Sequence, residues 1–339
     1  MDKNNFDGVR IVLALIVVFA HISALTTLPE FHSLATFFDS NFAVKGFFAV
    51  SGFLVTKSFV GCNSLIEFAE KRFRRIYPAY TASLLLCLVI GIATSSLAIT
   101  EFLSSPETIK YLFANLAFLN FLQPELPYVF DDNPMRELNG SLWTIKIEVM
   151  LYCCTPLIVY LFSNWGSLKT TAIIFALSVT WVYFFKSLYT GNIGEVIARQ
   201  FPGQLSYFVV GALFAINTYA MKKLIWITLL STLGLFILHA PLARLLIEPI
   251  AYSSIVIYCA TKAARNFHLG RYGDISYGIY LYHFPIIQLL IHWGLFALDP
   301  WLGLTLSLII TLGVALLSWH FVEKPFLKRS SHYLIATKS

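Results

Sequence analysis

The sequence predicts an all-α membrane protein: a bundle of ten transmembrane helices, a short re-entrant or interfacial helix near 109–123, and both termini cytoplasmic. Three observations predict this. Of the 339 residues, 58% are hydrophobic and only 12% charged, about half the charge of a soluble domain. Apolar stretches of spanning length recur along the whole chain. The basic residues then collect on one side of the membrane that those stretches define.

The first stretch, 7–26, follows Asp2, Lys3 and Asp7 with no small-residue cleavage site after it, so it reads as a span and not as a removed signal. The second, 43–60, leads into the basic loop Lys71-Arg72-Phe73-Arg74-Arg75, and the third, 78–97, leaves it. The connection from 98 to 142 is the longest and is acidic, with Glu101, Glu107, Glu125, Asp131, Asp132 and Glu137. Its segment 109–123 is apolar but short and is followed by Pro124 and Pro127. A full span there would invert every later loop, so it reads as a short helix on the outer face. The remaining spans fall at 143–162, 170–187, 202–217, 223–239, 247–262, 275–296 and 302–322. With the N-terminus inside, 17 of the 24 basic residues face the cytoplasm. The net charge of +6 then follows from topology and calls for no nucleic-acid partner. The chain reads as a single domain, 1–339, without an internal repeat. Many transporters show such repeats as hydropathy symmetry. None of the five cysteines has metal-ligand spacing, so no metal is expected.

Ionisable residues inside a span are costly and mark function or pairing. Arg10 and His21 lie eleven residues apart in the first span. That spacing puts them on one helix face, roughly 16 Å apart along the axis. Arg10 then sits at the cytoplasmic surface and His21 near mid-depth. The plain readings are a snorkelling arginine and an interhelical histidine hydrogen bond. Arg72 and Arg75 are three apart and neighbours on a helix. They either set topology or, with Arg10, clamp a phosphate, which guanidinium forks suit. In Trp143-Thr144-Ile145-Lys146-Ile147-Glu148, the carboxylate of Glu148 lies roughly 10 Å below the outer surface and His21 roughly 9 Å. Glu148 is read either as the group that orients His21 and raises its basicity or as a structural ion. Ser276, Tyr280 and His283 share a face of the ninth span. His283 is either a second polar site residue or a helix contact beside the Pro285 kink. Ser51 and Gly52 allow close helix approach, and a small residue facing His21 would also leave room for a ligand. Ser51, Trp143, Tyr280 and His283 are the candidate pocket residues.

Taken in order, these motifs resemble the acyltransferase-3 family of membrane acyltransferases. The resemblance rests on Arg10 and His21, on Ser51-Gly52-Phe53, on Arg72 and Arg75, on Trp143 and Glu148, on the run from Ser276 to His283, and on the closing Glu323-Lys324-Pro325-Phe326. It covers about residues 5 to 328 and is to the stand-alone form, without a fused esterase-like domain. It implies an O-acetyltransferase of the bacterial cytoplasmic (inner) membrane. Such an enzyme moves acetyl from cytoplasmic acetyl-CoA to a hydroxyl of a cell-surface or lipid-linked glycan, such as O-antigen, capsule, common antigen or nodulation factor. Arg10, Arg72 and Arg75 would hold the coenzyme phosphates. His21 would act as general base or as an acyl-histidine relay, with Glu148 orienting it. The competing reading of the same buried ions is a transporter or flippase for a glycan or lipid-linked substrate.

Overall fold

The computed structural model describes residues 4–189, 191–263 and 273–327, and among these every regular element is a helix. Each of the ten predicted spans corresponds to one: α1 Phe6–Thr26, α2 Ser40–Val60, α3 Leu65–Thr94, then the short α4 Pro106–Leu116, followed by α5 Trp143–Trp165, α6 Ser167–Leu188, α7 Phe201–Ile216, α8 Leu224–Ile237, α9 Pro241–Tyr258, α10 Ser276–His292 and α11 Pro300–Ser318. Seven of them, some with short helical extensions, are long and apolar enough to cross a membrane: α1, α2, α3, α5, α6, α9 and α11. The other three predicted spans, α7, α8 and α10, have 16, 14 and 17 residues. At 1.5 Å per residue these reach roughly 21–26 Å, less than a hydrocarbon core of about 30 Å. The topology-setting residues Lys3, Arg265, Arg271, Lys328, Arg329 and Lys338 lie outside the described residues.

The segment expected to be short is so. The 11-residue α4 starts where Ser105 accepts a hydrogen bond from the Thr108 backbone and Pro106 takes the first helical position. It stops before a 3-10 turn at Asn120–Leu122.

The chain forms two compact units, residues 1–10, 41–69 and 147–268 in the first, and 11–40, 70–146 and 269–339 in the second. In the first unit, α2 and α7 touch backbone to backbone. A β-carbon at Gly52 would overlap the Phe208 carbonyl, and one at Gly211 would overlap the Ala49 carbonyl. Gly52 and Gly211 thus permit the close helix approach. The same unit pairs its intramembrane charges: Lys45 Nζ lies 2.5 Å from Glu248 Oε1, which also accepts from the Tyr207 hydroxyl at 2.7 Å.

In the second unit, the long connection 98–142 folds down as part of the core. Phe102, Tyr111, Leu126, Val129, Phe130 and Leu138 bury their side chains with Cys87 and Ile90 of α3. Gln288 of α10 pins the connection in both directions. Its amide donates to the carbonyls of Met135 and Glu137 at 2.8 Å, and its backbone and side-chain oxygens accept from Asn133 at 2.9 Å. Phe118, Tyr128 and Phe130 hold left-handed backbone (φ 61°, 55° and 60°). That conformation costs about 1–2 kcal/mol for a bulky residue and persists only where packing dictates it. Phe118 and Phe130 meet such packing, against Tyr80 at 4.6 Å and within the core respectively.

Candidate active site

A proline builds the site's frame. Pro285 lies inside α10 and has no N–H, so the carbonyl four residues earlier, Leu281, loses its helical donor. Asn139 fills that vacancy, its side-chain amide donating to the Leu281 oxygen at 2.9 Å. Its other side-chain atom, Oδ1, accepts from the Ser141 hydroxyl at 2.6 Å and the Ser141 backbone N–H at 3.3 Å. The Asn139-Gly140-Ser141 segment is thereby docked on α10. Gly140 is needed there, because a β-carbon would crowd the Phe284 ring at 2.8 Å. One turn on, the Thr144 hydroxyl meets the Tyr280 hydroxyl at 2.7 Å.

Against this frame stands His21 of α1. Its Nδ1 lies 2.7 Å from Nε2 of His283, a residue of α10 with 0% exposure. The two rings are nearly parallel, 7° between planes with centroids 5.0 Å apart. Phe284 closes on His21 edge-on at 5.3 Å, and Tyr280 on His283 at 6.0 Å. The far nitrogen of His283, Nδ1, lies 3.0 Å from the Ile279 carbonyl. His21 itself is half-buried.

Arg10 and His21 share one unbroken 21-residue helix, α1. Eleven residues of α-helix keep them on one face with an axial rise of roughly 16 Å.

Nδ1 of His21 faces Nε2 of His283, and Glu148 as the group that orients His21 remains a proposal. Glu148 belongs to the first unit, where its carboxylate accepts from the Tyr152 hydroxyl one turn along α5. Among the expected pocket residues, the second unit brings Tyr280 and His283 together beside His21. The Tyr280 hydroxyl is engaged by Thr144, so this side chain ties α5 to α10. Trp143 opens α5, half-buried. Ser51 lies in the first unit, its hydroxyl buried without a hydrogen-bond partner among the described residues. Lys146 places its ammonium 4.6 Å from the centre of the Phe121 ring.

The arginines of α3 divide. Arg72 is half-buried. Arg75 is 5% exposed and its two terminal nitrogens are taken, one by Asp274 at 2.5 Å and the other by Glu323 at 2.7 Å. The Ser276 hydroxyl donates to the other oxygen of Asp274 at 2.5 Å, and Tyr277 lies under the guanidinium at 5.2 Å. Glu323 reaches this cluster from a π-helical turn, Trp319–Glu323, that ends α11. Such turns recur at functional sites. Through these carboxylates Arg75 joins α3 to the start of α10 and the end of α11, and its role as a phosphate ligand remains a proposal. Sequence reading left Asp274 out and named Glu323 only within the closing motif. Among the described residues, no group of three or more His, Cys, Asp or Glu side chains is arranged to hold a metal ion.

Comparison with known proteins shows the family. A family model described as an acyltransferase domain matches residues 3–320. An O-acetyl transferase of Shigella phage Sf6 is 29% identical over 355 residues, covering 98% of each chain. Nodulation protein 10 of Rhizobium leguminosarum bv. viciae is 26% identical over 359 residues, covering 96% of this chain and 94% of that one. No solved structure matches. With the family match spanning nearly its whole length, the chain belongs to the acyltransferase-3 family of membrane acyltransferases.

Proposed function

We propose that this protein is an O-acetyltransferase of the bacterial cytoplasmic membrane, with ten spanning helices, both termini cytoplasmic and one functional domain over 1–339. It takes acetyl from cytoplasmic acetyl-CoA and places it on a hydroxyl of a cell-surface or lipid-linked glycan. The observation that carries this reading is α1: an arginine at one end and, on the same face, a histidine held by a second buried histidine. The O-acetyl transferase of the Shigella phage, alike over its full length, supports the acyl group and the acceptor atom.

Arg10 binds the coenzyme phosphates, and Arg72 is the second phosphate ligand. The rise of roughly 16 Å between Arg10 and His21 suits an extended pantetheine arm running along α1. His21 accepts the proton of the sugar hydroxyl while that oxygen bonds to the thioester carbonyl carbon. The carbon–sulfur bond then breaks and the leaving thiolate takes the proton from His21, so coenzyme A departs as the thiol. In an acyl-histidine relay the same ring instead carries the acetyl group between the two steps. Trp143, Tyr280, His283 and Ser51 remain proposed as the surroundings of the acceptor and the acetyl group.

Calorimetric titration of the purified protein with acetyl-CoA tests the donor. Saturable binding that weakens at least tenfold in Arg10→Ala is expected. A wild-type protein that does not bind acetyl-CoA would refute the assignment.

A further inference from the structure

We infer that His283 is a positioning residue that sets the tautomer of His21, leaving Nε2 of His21 as the reacting nitrogen. The inference rests on the proposed role of His21 and adds which atom does the work. The argument starts at the Ile279 carbonyl, 3.0 Å from His283 Nδ1. A carbonyl oxygen has no proton to give, so Nδ1 of His283 must be the donor. His283 is fully enclosed, where an uncompensated full charge is costly. As a neutral ring it has one donor and one acceptor, so its Nε2 carries the lone pair. That lone pair faces Nδ1 of His21 at 2.7 Å, so His21 Nδ1 holds the proton and points it at His283. The neutral His21 ring then has one nitrogen left with a lone pair, Nε2. The chain of donors runs one way, from His21 through His283 to the Ile279 oxygen.

This arrangement gives His21 a neutral orienting partner in place of the carboxylate of a Ser-His-Asp triad. When Nε2 accepts the acceptor proton, His21 becomes an imidazolium. Its bond to His283 is then charge-assisted, roughly twice as strong as a neutral one, which favours the proton transfer. Both routes of acetyl transfer, base and acyl-histidine, use the same nitrogen. The Pro285 notch matters here too: with Asn139 docked in it, the turn of α10 that carries His283 is tied to the 139–141 segment.

Glutamine and asparagine separate a positioning role from a packing role. Glutamine sets its side-chain oxygen near the place of Nε2 and accepts from His21. Asparagine reaches only the place of Nδ1 and leaves His21 without an acceptor. Transfer of labelled acetyl from acetyl-CoA is measured in membrane vesicles with wild type, His283→Gln, His283→Asn and His283→Phe, scaled to protein present. His283→Gln is expected within about tenfold of wild type. The other two should fall about 100-fold or more, the scale of a lost or mis-set base, with the KM for acetyl-CoA unchanged. Equal loss in all three variants, or full activity in His283→Phe, overturns the inference. A second reading needs no activity: nitrogen-15 NMR of histidine-labelled protein in bilayers, with His21 assigned by its absence in His21→Ala. Protonated Nδ1 and bare Nε2 on His21 are expected, and the opposite tautomer overturns the inference. Wild-type vesicles without transfer, in a protein with the expected tautomer, would count against the acetyltransferase reading and leave the positioning role standing.

Discussion

Arg75 and Glu323 form an ion pair at 2.7 Å although 248 residues separate them, and both are nearly closed to solvent. Breaking one partner of a buried pair strands the other charge, at a cost of about 3–5 kcal/mol. Arg75→Ala should therefore lower the detergent melting temperature and membrane accumulation, while the surviving protein binds acetyl-CoA with unchanged affinity. Arg72→Ala should do the reverse. A donor affinity lost in Arg75→Ala at wild-type stability would place Arg75 at the phosphate site.

Asn139 and Pro285 are coupled through one carbonyl. Asn139→Ala leaves the Leu281 oxygen without its 2.9 Å donor, a loss of about 1–3 kcal/mol for a buried polar group. Pro285→Ala restores a backbone N–H that can serve the same oxygen. The double variant should thus be more stable than the two single losses summed, by about 0.5 kcal/mol or more, as residues sharing one partner are. Strict additivity in thermal unfolding would show that the notch and the amide act independently.

Gly52 and Gly211 stand where α2 and α7 approach most closely. Alanine at either should push the helices apart and reduce folded protein in the membrane. Ser51→Ala, which adds no bulk, should leave the yield intact. A wild-type melting curve for Gly52→Ala would contradict the close approach.

Much of this was readable in advance, and the rest has physical reasons for having been hidden. The spans were visible because apolar runs and basic loops are properties of neighbouring residues. The Arg10 and His21 face was visible because helical geometry alone places both. The partner of His21 was not. It lies 262 residues away, and matched depth pointed to Glu148, whereas the predicted ninth span puts His283 roughly 20 Å below the outer surface. Depth narrows the candidates and cannot choose the neighbour, which depends on how helices pack. The carboxylate partners of Arg75 were hidden for a related reason: a guanidinium suits carboxylate and phosphate alike, and only the fold sets Asp274 and Glu323 beside it. The role of Asn139 was hidden because it depends on the open carbonyl that Pro285 creates.

With His283 inferred as the partner that orients His21, Glu148 is the competing proposal. Glu148→Gln should retain more activity than His283→Phe in the same vesicles. An equal or greater loss in Glu148→Gln, at wild-type protein levels, would restore the carboxylate to the mechanism.

A base must be neutral to accept a proton, so transfer should fall as pH drops through the titration of His21. The falling limb lies on the acid side, because protonation removes the lone pair. A rate that rises as the pH falls would argue against the base role.

The central claim is that His21 handles the acetyl transfer. Its most direct test is the incorporation of labelled acetyl from acetyl-CoA into membrane-associated glycan, in vesicles carrying wild type or His21→Ala at equal levels. Label present with wild type and absent with His21→Ala, with acetyl-CoA still bound by both, is the expected result. Equal labelling by the two proteins would contradict the account, and absence of both labelling and donor binding would turn the reading toward transport.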